Sequence, residues 1–79
     1  MRVPKDLNGR DFANHLIRHW DFHQTRQSGS HILLRTEIPS GMTVSVPAHK
    51  PMKPGTLRQI ITDVAVHKGV ASEMILQDL

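Results

Sequence analysis

Apolar residues near the start of the chain recur at helical spacing. The positions lie three or four residues apart, at Phe12, Ala13, Leu16, Ile17 and Trp20. This spacing predicts an amphipathic helix over about residues 8 to 20, with Asn8 or the region of Asp6 as its N-terminal cap. We expect the whole apolar stripe, Trp20 included, to lie in the core.

The middle of the chain instead predicts three short strands. Phe22 to Gln27 forms the first strand, and the Ser28-Gly29 turn separates it from a second strand over His31 to Ile38. Pro39-Ser40-Gly41 then closes a three-residue hairpin loop in which the glycine adopts a left-handed conformation. Met42 to Pro47 forms the third strand, antiparallel to the second.

The apolar residues of the second and third strands also predict their register. If Ile38 faces Met42, the alternating apolar side chains gather on one face, and His31 lies opposite His49. The other face is then mostly polar and consists of His31, Leu33, Arg35, Glu37, Thr43, Ser45 and His49.

The last third of the chain returns to helical spacing. A proline-rich connector leads to Pro54, which suits the first turn of a helix that ends near Gly69. A short capped helix is expected at Ser72 to Leu76. The order α-β-β-β-α predicts a single two-layer α+β domain over residues 1–79, with both long helices on the one apolar face of a three-stranded antiparallel sheet.

Composition narrows the classes of function. Ten Lys and Arg against seven Asp and Glu, with six His, are compatible with an anionic partner, although many small soluble domains without one are also mildly basic. The absence of cysteine excludes a disulfide scaffold, a cysteine zinc site and a thiol nucleophile. No apolar run approaches the roughly 20 residues of a membrane span, and no signal-peptide pattern opens the chain, so we expect a cytoplasmic protein that does not bind membranes.

Basic residues converge at one edge of the predicted sheet, where neighbouring antiparallel strands begin and end. They are Arg26, His31, His49, Lys50 and Lys53. The N-terminus of the second long helix begins near the same edge and adds partial positive charge. One interpretation is an edge that binds the phosphates of RNA, and the alternative is a solvated basic rim without a ligand.

His31 is the residue best placed for chemistry. Imidazole has an ordinary pKa of about 6.5, so a histidine can deprotonate a ribose 2′-hydroxyl for attack on the adjacent phosphorus without a metal or another cofactor. His49 is the nearest candidate to protonate the leaving oxygen, although a histidine after a strand is also common polar surface. Stabilisation of the charged phosphorane can come from Arg26, Arg35, Lys50 or Lys53.

A second histidine pattern lies on and after the first helix. His15, His19 and His23 recur every four residues, which is a metal-ligand spacing. Because no carboxylate or cysteine is placed to complete a site, we interpret these histidines as a polar helix face and predict no metal.

Four segments of the chain resemble the HicA toxin family, also called YcfA-like. The matching residues are Arg26-Gln27, Gly29-Ser30-His31, Val46-Pro47 with His49, and Lys53-Pro54-Gly55-Thr56-Leu57. The resemblance implies a fold like a double-stranded RNA-binding domain and a type II toxin that cleaves mRNA independently of the ribosome. It also implies that His31 is the essential catalytic residue and that a HicB-type antitoxin covers the active surface.

The leading hypothesis is therefore an endoribonuclease whose partners are mRNA and a HicB-type antitoxin, with no DNA contact by the toxin alone. Besides His31, the residues expected to contact RNA or its phosphates are Arg26, Ser30, Arg35, His49, Lys50 and Lys53. Two alternatives stay open: a non-catalytic RNA-binding module of the same fold, and a protein-interaction domain that docks a partner on its open sheet face.

Overall fold

A computed structural model describes all residues from Met1 to Leu79 as three helices and one antiparallel sheet of order β1-β2-β3. The elements are α1 (Gly9–His19), β1 (His23–Ser28), β2 (His31–Thr36), β3 (Met42–Pro47), α2 (Pro54–Lys68) and α3 (Ser72–Leu76). The predicted α+β class, the order of elements and the short last helix are confirmed. None of the helices has the length and apolar character needed to cross a membrane.

The core lies between one face of the sheet and the helices. Along β2, Ile32 and Leu34 are fully buried while His31 is exposed and Leu33 is half-buried, which is the alternation expected of a strand with one covered face. α1 contacts β2 and β3, and α2 contacts β3 and α3. The prediction that both long helices cover a single apolar face is confirmed, and the polar face is left open.

The predicted register of the β2–β3 hairpin is wrong by two residues. His31 lies opposite Pro47 rather than His49, and Thr36 pairs with Met42. Because side chains alternate with a period of two, a slip of two residues keeps each side chain on its predicted face but changes its neighbour across the strand. For the paired residues the faces are therefore as predicted although the pairs differ, whereas Glu37 and His49, which were also expected on the open face, lie beyond the ends of the strands.

The β2–β3 loop explains this difference. β2 ends at Thr36 instead of Ile38, so the loop spans residues 37–41, and Gly41 does not adopt the predicted left-handed conformation. The Thr36 hydroxyl accepts hydrogen bonds from the N–H of Ile38 at 3.2 Å and from Lys68 Nζ at 2.9 Å. Lys68 also donates to the Ile38 carbonyl. A lysine at the end of α2 thus helps fix where β2 stops.

Two predictions about α1 are also wrong. His15 does not lie on a solvated polar face: it is 6% exposed, and its Nε2 donates to the Ile75 carbonyl oxygen at 2.7 Å. Ile17, expected in the core, is 37% exposed, and Trp20 is half-buried against the core. α3 is the physical reason for the first difference, because its residue Ile75 supplies the hydrogen-bond acceptor for the His15 ring.

The start of α1 lies directly against the chain that leaves β3. The Gly9 N–H donates to the His49 carbonyl at 2.9 Å. A Cβ atom at Gly9 would overlap the Pro47 carbonyl oxygen and lie 2.9 Å from the Ala48 Cα. Only glycine allows this close approach of two backbones.

We predict that Gly9→Ala lowers the free energy of unfolding by about 1–3 kcal/mol, because α1 must move away from residues 47–49 to admit the methyl group. Urea denaturation measures the change. Gly55→Ala is the matched control: Gly55 is also in a first helical turn but has open space around its Cβ position, so that variant should be as stable as the wild type or slightly more stable. Equal effects of the two substitutions would contradict the proposed close contact.

A second prediction concerns pH. Burial lowers the pKa of His15 below its ordinary 6.5, partly opposed by the hydrogen bond to Ile75. As the pH falls, His15 is therefore protonated in the unfolded chain before it is protonated in the folded protein. Its contribution to stability is complete above about pH 6.5 and is lost as the pH falls through the lower pKa of the folded state.

Urea denaturation between pH 7 and pH 5 tests this. His15→Gln should be less stable at pH 7, because its contacts are lost, but its stability should change less with pH. The exposed His23 on β1 provides the control, because it is not among the groups that shift the pKa of His15, and His23→Gln should keep the wild-type dependence. An unchanged pH dependence in His15→Gln would show that another group is responsible.

Candidate functional site

His31 lies at the end of the sheet where a two-residue turn joins β1 to β2. Ser28 pairs with His31 across this turn, and Gly29, its first central residue, has a φ of +58°. Glycine at the first central position with positive φ is the pattern of a type II′ hairpin turn. β2 therefore begins at His31, directly after the turn, and the imidazole is exposed on the open face.

Ser45 on β3 orients the His31 ring. The Ser45 Oγ lies 3.3 Å from His31 Nδ1. Ser45 pairs with Leu33 and so lies diagonally across from His31 on the same face. This hydrogen bond leaves the Nε2 atom of His31 available to solvent and to a ligand.

Arg26 shares the open face with His31. Arg26 pairs with Leu33, and Ser28, two residues further along β1, pairs with His31. Arg26 and His31 are therefore diagonal neighbours, with their Cα atoms about 7–8 Å apart. Arg26 is exposed and forms no ion pair. The open-face residues in this half of the sheet include no carboxylate, so the charge of Arg26 is available to an anion.

His49 lies at the same end of the sheet but beyond the paired residues of β3. The Ala48 N–H donates to the Ser30 carbonyl at 2.6 Å, and the His49 carbonyl accepts from Gly9. The backbone after β3 is therefore bound to both the β1–β2 turn and α1. These contacts bring His49 and Ser30 close to His31, the first residue of β2. Both residues are exposed there.

Lys50 and Lys53 lie in the connector that follows. Both are exposed, and Lys53 is the residue that precedes the first turn of α2. Met52 between them is buried, and its N–H donates to the Leu7 carbonyl at 2.9 Å. The connector is thus anchored by Met52 while its two lysines face solvent, with Lys50 directly beside His49.

Arg35 lies apart from this group. It is four residues along β2 from His31, or about 13 Å. Its Nε donates to Glu37 at 2.7 Å and one terminal nitrogen donates to the Thr43 hydroxyl at 3.0 Å. The Glu37 carboxylate raises the pKa of Arg35, and the guanidinium lowers the pKa of Glu37. The structure therefore pairs Arg35 with an acid at the far end of the sheet.

Sequence reasoning missed two residues at this end of the molecule. Ser45 was assigned to the open face, but the wrong register placed it opposite Arg35 instead of within reach of His31. Arg10 on α1 donates to the side-chain oxygens of Gln24 and Gln27 on β1, at 2.9 Å each. No spacing in the sequence signals that contact, because it depends on how α1 lies against the sheet.

A surface cleft of about 320 Å³ lies elsewhere, between α1 and the C-terminal residues. Asp11, His15, His19 and Asp78 contribute to its lining, and it includes none of the predicted site residues. The rings of His15 and His19 are 5.1 Å apart between centroids. No three His, Asp or Glu side chains are grouped so as to hold a metal ion.

Comparison with known proteins gives one match. The family model described as the HicA toxin of bacterial toxin-antitoxin systems matches residues 9–66. No curated protein and no solved structure matches the chain. The matched range begins at the first residue of α1, ends within α2 and contains His31 with all of its neighbours described above. The chain belongs to the HicA family of bacterial toxins, which act in pairs with an antitoxin.

Proposed function

We propose that this protein is a type II toxin that cleaves mRNA independently of the ribosome, with His31 as the acid-base group. Membership of the HicA family supports the toxin role. The observation that carries the chemistry is the exposed His31 imidazole, held by Ser45 through Nδ1 in a half of the open face that has a cationic Arg26 and no acid. Cleavage of mRNA in turn implies action in the cytoplasm.

The proposed reaction breaks the bond from phosphorus to the 5′-oxygen. His31 Nε2 takes the proton of the ribose 2′-hydroxyl, and the resulting oxygen attacks the adjacent phosphorus. The products are a 2′,3′-cyclic phosphate and a 5′-hydroxyl, and the leaving oxygen takes its proton from a second acid or from water. His49 is the nearest candidate for that acid. No metal or other cofactor takes part in these steps.

Cations near His31 would stabilise the phosphorane, whose extra negative charge exists only during the reaction. Arg26 shares the open face with His31, while Lys50 and Lys53 extend the positive charge along the connector. The exposed Ser30 hydroxyl is a further phosphate contact beside the turn. We leave Arg35 out of this group, because Glu37 already occupies its guanidinium.

The antitoxin partner is proposed to be of the HicB type. To inhibit the toxin it must prevent RNA from reaching His31, so we expect it to cover the open face at the β1–β2 turn. The same face would then bind either RNA or the antitoxin.

We predict that His31→Ala lowers the rate of cleavage of single-stranded mRNA in EDTA by about 10²–10⁴-fold, because general acid-base catalysis contributes roughly that much. RNA binding should persist, because the cations remain. Gel analysis with mapping of the product ends measures cleavage, and fluorescence anisotropy measures binding.

His23→Ala is the matched control. His23 is an exposed histidine on β1 at the opposite end of the sheet, where it pairs with Arg35, so its loss should leave cleavage unchanged. Cleavage by His31→Ala at the wild-type rate would reject the assignment of His31. Binding without cleavage by the wild type would indicate an RNA-binding module, and absence of binding would favour a protein-docking face.

A second prediction concerns Ser45. Ser45→Ala should lower kcat about 3- to 10-fold, because an exposed neutral hydrogen bond contributes roughly 0.5–1.5 kcal/mol, and Ser45→Thr should recover most of the rate. Nitrogen-15 NMR of the His31 ring should show a changed tautomer ratio in the alanine variant only. Thr43→Ala is the control, because Thr43 lies on the same open face of β3, two residues from Ser45 and further from His31. An unchanged His31 spectrum in Ser45→Ala would contradict the orienting role.

A further inference from the structure

We infer that Arg10 binds a second phosphate, next to the one that reacts at His31, so that bound RNA continues over the β1–β2 turn to the helical side of the sheet. The inference rests on the proposed RNA substrate and extends it from one reacting phosphate to a path along the strand. Arg10 is outside the group of residues that the sequence patterns indicated.

Two neutral side chains hold the Arg10 guanidinium in place. Its two terminal nitrogens donate to Gln24 and Gln27, which lie on the helical side of β1 opposite the buried Leu34 and Ile32. Amide oxygens fix the orientation of the guanidinium but leave its full positive charge. Three of its five N–H groups stay free to donate to phosphate.

This arrangement differs from that of Arg35, the other arginine that side chains hold on the sheet. Arg35 forms an ion pair with Glu37, whereas Arg10 has no carboxylate partner. Asp11, the next residue in the chain, lines the cleft between α1 and the C-terminus. Arg10 is therefore an oriented and unpaired cation.

Arg10 is also connected to the turn that carries His31. Gln27 accepts from Arg10 and donates from its Nε2 to the Gly29 carbonyl at 3.1 Å. Gly29 lies two residues before His31 in the chain, and Gln27 pairs with Ile32, the residue that follows His31. Arg10, which spans Gln24 and Gln27, and Arg26 thus lie on opposite faces of β1. A strand that crosses the turn would meet both.

The test compares Arg10→Met with Arg10→Lys and with Arg18→Met, each made in the His31→Ala background for binding. Arg18 lies two turns further along α1 and lines the cleft, so it is the matched control. Anisotropy with a labelled 12-nucleotide single strand gives Kd at several salt concentrations, and thermal unfolding by circular dichroism verifies the fold of each variant.

Arg10→Met should raise Kd about 3- to 10-fold at low salt and reduce the slope of log K against log salt by about 0.7, the value for one phosphate contact on a single strand. Arg18→Met should do neither. Arg10→Lys should keep the wild-type slope because it keeps the charge. If Arg10→Met folds poorly, Arg10→Lys still tests the inference, because a reduced salt dependence of RNA binding in Arg10→Lys would overturn it.

Cleavage by the catalytically intact protein gives an independent measurement. Arg10→Met should raise KM for the 12-nucleotide strand with kcat unchanged, and it should cleave a dinucleotide as fast as the wild type, because a dinucleotide does not extend to Arg10. If the wild type cleaves RNA but Arg10→Met matches Arg18→Met in Kd, salt slope and KM, this inference alone is overturned. If the wild type neither binds nor cleaves RNA, the proposed function fails with it.

Discussion

The close contact between Gly9 and the chain after β3 is the constraint on which the rest of the structure depends. It brings two backbones together without a side chain between them, and the Gly9 N–H completes the contact by binding the His49 carbonyl. α1 is thereby fixed against the end of the sheet that carries the β1–β2 turn. This places Arg10 above β1 and keeps His49 beside the turn that leads into His31.

Different partners give Arg35 and Arg26 on the sheet and Arg10 on α1 different electrostatic surroundings. Arg35 forms an ion pair with Glu37 and a hydrogen bond to Thr43, so a carboxylate offsets its charge. Arg26 has no acidic partner, and Arg10 is held by two amides that leave its charge intact. Net charge alone does not reveal this difference, because all three arginines count equally in the composition. Available positive charge therefore concentrates at the His31 end of the sheet.

Much of the fold and part of the site could be predicted from local patterns. The Gly29-Ser30-His31 segment predicted a turn that delivers a histidine to the start of a strand, and the alternation of Ile32 and Leu34 predicted the buried face. The partner of His31 across the sheet could not be found in this way. A slip of two residues leaves every apolar side chain on the same face, so the apolar pattern is equally well satisfied by Pro47 or His49 opposite His31.

The sequence by itself determined the elements, the buried and open faces, and the position of His31 at a strand start, because these follow from spacing and turn chemistry within a few residues. Only the tertiary structure decided the register, the burial of His15 and the neighbours of His31. Each depends on residues distant in the chain: Lys68 binds Thr36 where β2 ends, Ile75 supplies the acceptor for His15, and α1 carries Arg10 to β1. Such contacts form only when the helices cover the sheet, so no local pattern encodes them.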